Sequence, residues 1–164
     1  MSIAETLLPE YDEEMASTRR MLEAVPDDQL DFKPHEKSVA MGGLIRHLVT
    51  IPDWAAQTLQ SESLDFTGFV PPPPVKSRAE ALDVFQKGAA DGRAAIAAAA
   101  DDAFHQNWTL SGNGQVFFTI PRYKAIRSFV MNHLIHHRAQ LAMYLRLCGA
   151  KVPGMYGPSA DETM

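Results

Sequence analysis

Asn132-His133-Leu134-Ile135-His136-His137-Arg138-Ala139-Gln140 places three of the chain's six histidines within five residues. An α-helix advances about 100° per residue, so His133 and His137 lie about 40° apart on one face, roughly 6 Å from each other. That is the spacing two imidazoles need to hold one metal ion from a single helix. His136 turns about 60° to the other side of His133, which makes one of the three a bystander. The flanking sequence supports the helix. Ile126, Phe129, Val130, Leu134, Leu141, Tyr144, Leu145 and Cys148 recur at spacings that keep one face apolar. Pro121 suits the first turn and Gly149 a C-terminal cap. The predicted helix has about 26 residues, roughly 40 Å, with His133 and His137 mid-length and facing the interior.

Working outward, Ser2 to Ala24 reads as a first helix, with Ser2 and Glu5 at capping-box spacing. Pro9 either sits in its first turn or kinks it. Pro26-Asp27-Asp28 ends it. After a loop containing Lys33-Pro34-His35-Glu36-Lys37, a second helix is expected from about Val39 to Leu59, capped by Ser38 and kinked by Pro52. His47 lies beside its apolar face. Gln60 to Ser77 reads as a linker stiffened by Pro71 to Pro74. A third helix follows from Arg78 to about Ala100, with Ser77 and Glu80 as a capping box and Leu82, Phe85, Ala89 and Ile96 as its buried face. Trp108–Leu110 and Gln115–Ile120 are β-prone and flank Ser111-Gly112-Asn113-Gly114, which reads as a short hairpin or ordered loop. The tail from Lys151 is expected to be irregular and to pack on the surface. Four helices with one apolar face each predict an all-α fold, a four-helix bundle with a short hairpin-like insertion before the last helix. The length of 164 residues suits a single domain, 1–164.

Composition narrows the function classes. The net charge of −5, without a Lys/Arg cluster, argues against a nucleic-acid surface. No stretch approaches the ~18 apolar residues of a membrane span and the N-terminus lacks a signal-type apolar core, so no membrane partner and a cytoplasmic location are expected. The single cysteine, Cys148, has no charged neighbour in sequence and reads as a small hydrophobe of the last helical turn.

His47 joined to His133 and His137 would make half a coordination sphere with positions left open for water or substrate, the pattern of a catalytic site. Zn²⁺, Ni²⁺ or Fe²⁺ would accept three imidazoles. Spacing alone leaves a second reading open, in which these are hydrogen-bonded core histidines. His35 is the residue to check for a fourth ligand. No His-Glu-x-x-His, Glu-x-x-His, phosphate loop or nucleophile elbow is present. No residue is singled out as a catalytic acid, base or nucleophile. Asn132, Arg138 and Gln140 are candidates to hydrogen-bond the ligands or pair with acids, with His136 a further residue that could support them from behind; an ordinary solvated helix face is the other reading.

Three segments in this order resemble the DinB-like (YfiT-type) metalloenzyme superfamily. They are Lys33 to Ser38 continuing through Gly43-Leu44-Ile45-Arg46-His47-Leu48 to Trp54, the Asn132–Gln140 stretch, and the ending Val152-Pro153-Gly154-Met155-Tyr156-Gly157-Pro158-Ser159-Ala160-Asp161-Glu162. The resemblance implies an up-down-down-up four-helix bundle, often a homodimer, with one divalent metal on His47, His133 and His137 and with His136 not a ligand. It also implies a small-molecule substrate. Characterised relatives use low-molecular-weight thiols, bacillithiol or mycothiol, as transferases, and one is a mycothiol-dependent isomerase. On that basis the expected activity is thiol S-transfer by a metal-activated thiolate. A metal-dependent hydrolase and a non-catalytic metal-binding stress or interaction protein are the alternatives. Ala139 departs from the family's usual Gly, and Pro9 and Pro52 are less usual.

Overall fold

A computed structural model describes residues 1–162. The first helix, α1 (Ile3–Glu23), opens with the expected capping box: Ser2 accepts from the Glu5 N–H and the Glu5 carboxylate takes the Ser2 N–H. It runs on through Pro9 without a break. The second predicted helix is two helices, α2 (Met41–Thr50) and α3 (Asp53–Gln60). Pro52 has no N–H to donate, and around it Trp54 and Ala55 bond three residues back, to the Ile51 and Pro52 carbonyls. The α2 cap is Ala40 rather than Ser38, with no side-chain hydrogen bond.

The Gln60–Ser77 segment is not a plain linker. Ser63–Asp65 forms a strand, β1. Helix α4 (Arg78–Ala98) is followed by a short α5 (Asp101–His105), then β2 (Asn107–Gly112) and β3 (Gln115–Pro121). The expected hairpin forms: β2 and β3 pair antiparallel with a bulge at Leu110/Ser111, turning at Asn113-Gly114, both at positive φ. β1 then adds to β2 in parallel, giving the order β1-β2-β3. The all-α expectation is therefore corrected to a mixed α/β architecture with a three-stranded mixed sheet. The physical reason is that β2 offers two paired edges. Its Thr109 N–H reaches Glu62 and its Ser111 carbonyl accepts from Phe66, so the extended linker satisfies backbone groups the hairpin alone would leave open. Trp108, Leu110 and Ala125 form a small second core beneath the sheet, and the buried Arg122 ties it to the linker through Gln106 Oε1 and the Ser61 carbonyl.

The last helical rod is continuous but not uniform. It comprises α6 (Arg122–Ala125), a π-helical segment (Ile126–Met131) and α7 (Asn132–Leu147). At the π segment the Asn132 N–H reaches back five residues, to Arg127. The rod ends in a Schellman cap, with Gly149 N–H on the Arg146 carbonyl and Ala150 N–H on Leu145.

The main core joins α1, α2, α3, α4 and the last rod through Tyr11, Leu22, Ile45, Leu48, Ile96 and Leu134, all essentially inaccessible. Leu134, Arg138, Leu141 and Leu145 are the buried stripe of α7. Within it Arg138, 2 % exposed, lies 2.7 Å from Glu14 and donates to Thr18 Oγ1 and the Glu14 carbonyl. It also donates to the Tyr156 hydroxyl, which in turn donates to Glu14 Oε1. The irregular tail is thereby pinned to a buried charge pair, with Asp161 on Arg146 and the Val152 N–H as a second fastening.

The buried face of α4 is Ala81, Phe85, Gly88, Gly92, Ala95 and Ile96, a stripe of small residues rather than the larger apolar ones expected, with Leu82 and Ala89 only partly covered. Gly92 is the closest approach. A Cβ there would stand 2.5 Å from Tyr11 Oη and 2.7 Å from the Pro52 carbonyl. Gly→Ala inside a helix normally stabilises by about 1 kcal/mol. Here the clash is with backbone and with a buried ring, so Gly92→Ala is expected to destabilise by about 1–3 kcal/mol in urea unfolding. A neutral or stabilising result would contradict this packing of α4 on the Pro52 break.

Candidate metal centre

α2 and α7 pack against each other, and their contact brings His47 to His133 and His137. One ring nitrogen of each lies within 4.8 Å of the others. His133 Nε2 is 3.2 Å from His47 Nε2 and 2.8 Å from His137 Nε2. The trio sits at the surface end of the interface: His133 and His137 are half-buried and His47 is exposed, rather than facing the deep interior as the mid-helix position suggested. The reason is that the stripe of Leu134, Arg138 and Leu141 takes the core side of α7, leaving the histidines on its flank.

The opposite ring nitrogen fixes the tautomer of His137. His137 Nδ1 is 2.7 Å from Gln140 Oε1, and the Gln140 amide nitrogen is 3.1 Å from His136 Nε2. With the amide so oriented, His137 donates from Nδ1 and its Nε2 carries a lone pair. The Phe129 backbone, inside the π segment, opposes the lowering of the His133 pKa. His137, with its proton on Nδ1, turns a bare Nε2 to His133 Nε2 at 2.8 Å, a gap that a shared proton or a cation would bridge. Four-coordinate zinc sites with bonds of about 2.0–2.1 Å hold their nitrogens roughly 3.3 Å apart; the 3.2 Å pair matches this span and the 2.8 Å pair lies just inside it. The residues present therefore fit a divalent ion.

Protonation agrees. Burial, then His137 and His133, push His47 down from 6.5 to about 4. Burial is also the leading cause that lowers His133 and His137, with Gln140 and the Phe129 backbone opposing it. Near neutral pH all three rings are in the uncharged form a metal requires.

The supporting candidates divide. Gln140 bonds His137 on the side away from the trio. His136 is outside the trio and bonds to Gln140. Asn132 is exposed and makes no side-chain hydrogen bond among the described residues. Arg138 faces the opposite way, into its ion pair with Glu14. His35 is elsewhere, accepting from the Lys37 N–H in its own loop, and among the described residues no fourth side chain joins the trio. The π segment that leads into the trio was not foreseen, because a π turn has no signature in residue spacing.

Beside His47 opens a cleft of about 580 Å³. α2 and α3 supply one wall through Arg46, Asp53 and Trp54, and the linker supplies the other through Phe66, Phe69 and Pro71. The four prolines are thus a strap rather than a free spacer. Arg46 holds it by donating to the Pro73 carbonyl while pairing with Glu80. This pairing, with Lys76 N–H on the other carboxylate oxygen, occupies Glu80, so Ser77 caps α4 without the reciprocal half of a capping box. The π segment just before α7 also meets the sheet, since Phe118 of β3 stacks on Phe129 at 4.5 Å.

Removing a hydrogen-bond partner behind a metal-bound histidine typically costs 10–100-fold in affinity. Gln140→Leu is expected to weaken metal binding by about that factor in competition with a chromophoric chelator, with the urea midpoint unchanged because Gln140 is exposed. Unchanged affinity would show that Gln140 does not orient His137.

A model of the DinB family matches residues 1–163. A DinB-like protein from Bacillus cereus ATCC 10987 superposes with a TM-score of 0.75 at 21% identity, covering 93% of this chain and 97% of its own. The DinB-like YjoA of Bacillus subtilis gives 0.70 at 15% identity over 94% and 99%. A mycothiol-dependent maleylpyruvate isomerase gives 0.54 at 14% identity over 92% of this chain, which spans 62% of the isomerase. In sequence, 34 residues are 44% identical to the uncharacterised YrdA of Bacillus subtilis, a match spanning 21% of this chain and 20% of YrdA. Among the described residues no helix is long and apolar enough to cross a membrane. With the family model matching from end to end, the chain belongs to the DinB family.

Proposed function

We propose that this protein is a divalent-metal-dependent enzyme that transfers a low-molecular-weight thiol to an electrophilic substrate. The observation that carries the metal half is the convergence of three Nε2 atoms, with that of His137 left bare by its Nδ1 bond to Gln140. His47, His133 and His137 would hold the ion, which as Zn²⁺, Ni²⁺ or Fe²⁺ would supply Lewis-acid charge that favours a thiolate near neutral pH. Gln140 keeps the His137 ring face fixed. The cleft next to His47 receives the electrophile and limits water around it. In the transfer the thiol proton passes to solvent, the sulfur–carbon bond forms, and the leaving group departs with its electron pair.

The thiol half rests on two supports. The fold is shared with a protein named as mycothiol-dependent, and no carboxylate joins the histidine trio among the described residues. A hydrolytic reading draws on Asp53 and Asp65, which face the same cleft and offer carboxylates to a water. A closed structural metal site is disfavoured by the lack of a fourth side-chain ligand and by the cleft itself.

The test is elemental analysis of protein purified without a histidine tag, followed by turnover of a panel of alkyl and aryl halides with and without mycothiol or bacillithiol. Near-stoichiometric metal that is lost in His133→Ala/His137→Ala, and halide release that needs both metal and thiol, are expected. Wild-type protein that takes up none of the three ions would overturn the metal reading. Metal-dependent turnover that ignores the thiol would replace transfer with hydrolysis.

A further inference from the structure

Part of the cleft lining is aromatic. Trp54 of α3, Phe66 just after β1 and Phe69 three residues on form a ladder, with ring centroids 5.4 Å apart for the first pair and 5.1 Å for the second. Phe69 is 57 % exposed although it adjoins an enclosed wall. A flat ring placed on this ladder would make the offset and edge contacts that aromatic groups favour, and would cover Phe69 from water.

The charges along the same surface narrow the ligand further. Arg46 is the only permanent cation among the described residues lining the cleft, and its guanidinium is already committed to Glu80 and the Pro73 carbonyl. Asp53 and Asp65 are both on the lining, and Thr67 holds Asp65 below the usual carboxylate range by two hydrogen bonds to one oxygen. A carboxylate on an aryl ligand seated along this wall would meet Asp53 and Asp65 and no uncommitted side-chain cation.

We infer that this cleft is the subsite for the electrophile and that it selects a flat aryl group without a carboxylate, with Trp54, Phe66 and Phe69 as the specificity-determining residues. Naming the ligand as the electrophile rests on the thiol-transfer reading; the aryl binding itself needs no metal.

Fluorescence tests it directly, because the chain has two tryptophans and only Trp54 lines the cleft. Trp108 is buried under the sheet with its indole N–H on Ser61. Nitroaryl groups quench indole emission on contact. Titration with para-nitrobenzyl alcohol is expected to give saturable quenching that disappears in Trp54→Phe. Affinity should fall about fivefold to tenfold in Phe69→Ala, the size of one lost aromatic pair. Phe69 is exposed, so its urea midpoint should not move. Para-nitrobenzoate should bind at least about tenfold more weakly than the alcohol. Quenching that rises linearly without saturation, equal affinity for the benzoate, or no effect of Phe69→Ala would each overturn the inference. The same titration on His133→Ala/His137→Ala separates it from the metal reading. Saturable aryl binding in a protein that takes up no metal supports the subsite while the metal reading fails. Metal uptake without saturable quenching does the reverse.

Discussion

Imidazole lone pairs repel one another at hydrogen-bonding distance unless a proton or a cation lies between them. In this chain His137 turns its proton outward, to Gln140, which leaves a lone pair on its inward Nε2. The Nε2 atoms of His133 and His137 are held together at 2.8 Å by elements that have other reasons to be where they are. α7 is fixed by its buried stripe and by the Arg138–Glu14–Tyr156 cluster; α2 is fixed by Leu44, Ile45 and Leu48 in the same core. Burial of these anchors stabilises the fold by far more than the lone-pair contact costs, so the packing energy holds a polar arrangement that would not form alone.

The mixed sheet and the proline strap give that trio its surroundings. β3 stacks Phe118 on Phe129, one turn before His133. β1, by pairing with β2, sets Leu64, Asp65 and Phe66 along the cleft beside His47. The strap closes the opposite side through Arg46 and Glu80. The histidine trio and the cleft wall thus come from different layers that meet at one place, Phe66 lining the cleft and Phe118 stacking on Phe129.

Much of this was legible in the residues. The four-residue spacing of His133 and His137 and the apolar flank of His47 pointed to the trio, and Ser2, Glu5, Asn113, Gly114 and Gly149 marked a helix start, a turn and a helix end through local chemistry. What escaped depends on contacts distant in sequence. Ser63-Leu64-Asp65 is too short and polar to read as a strand, and its partner lies more than 40 residues away. Gly88 and Gly92 bury a face by lacking side chains, which a pattern of large apolar residues cannot register. Arg138 looks like support for its histidine neighbours until Glu14, on α1, is seen to hold it. The all-α expectation failed for the same reason: helical periodicity is local, whereas the sheet is completed by a linker.

The tautomer of His137 is the most direct test, read from long-range ¹H–¹⁵N spectra of ring-labelled protein near neutral pH before and after adding Zn²⁺. The account predicts that this ring carries its proton on Nδ1 in metal-free protein. It also predicts that the Nε2 signals of His47, His133 and His137 shift together with one equivalent of zinc while His35, His105 and His136 stay in place. A proton on Nε2 of His137, or a zinc response confined to a single ring, would contradict it.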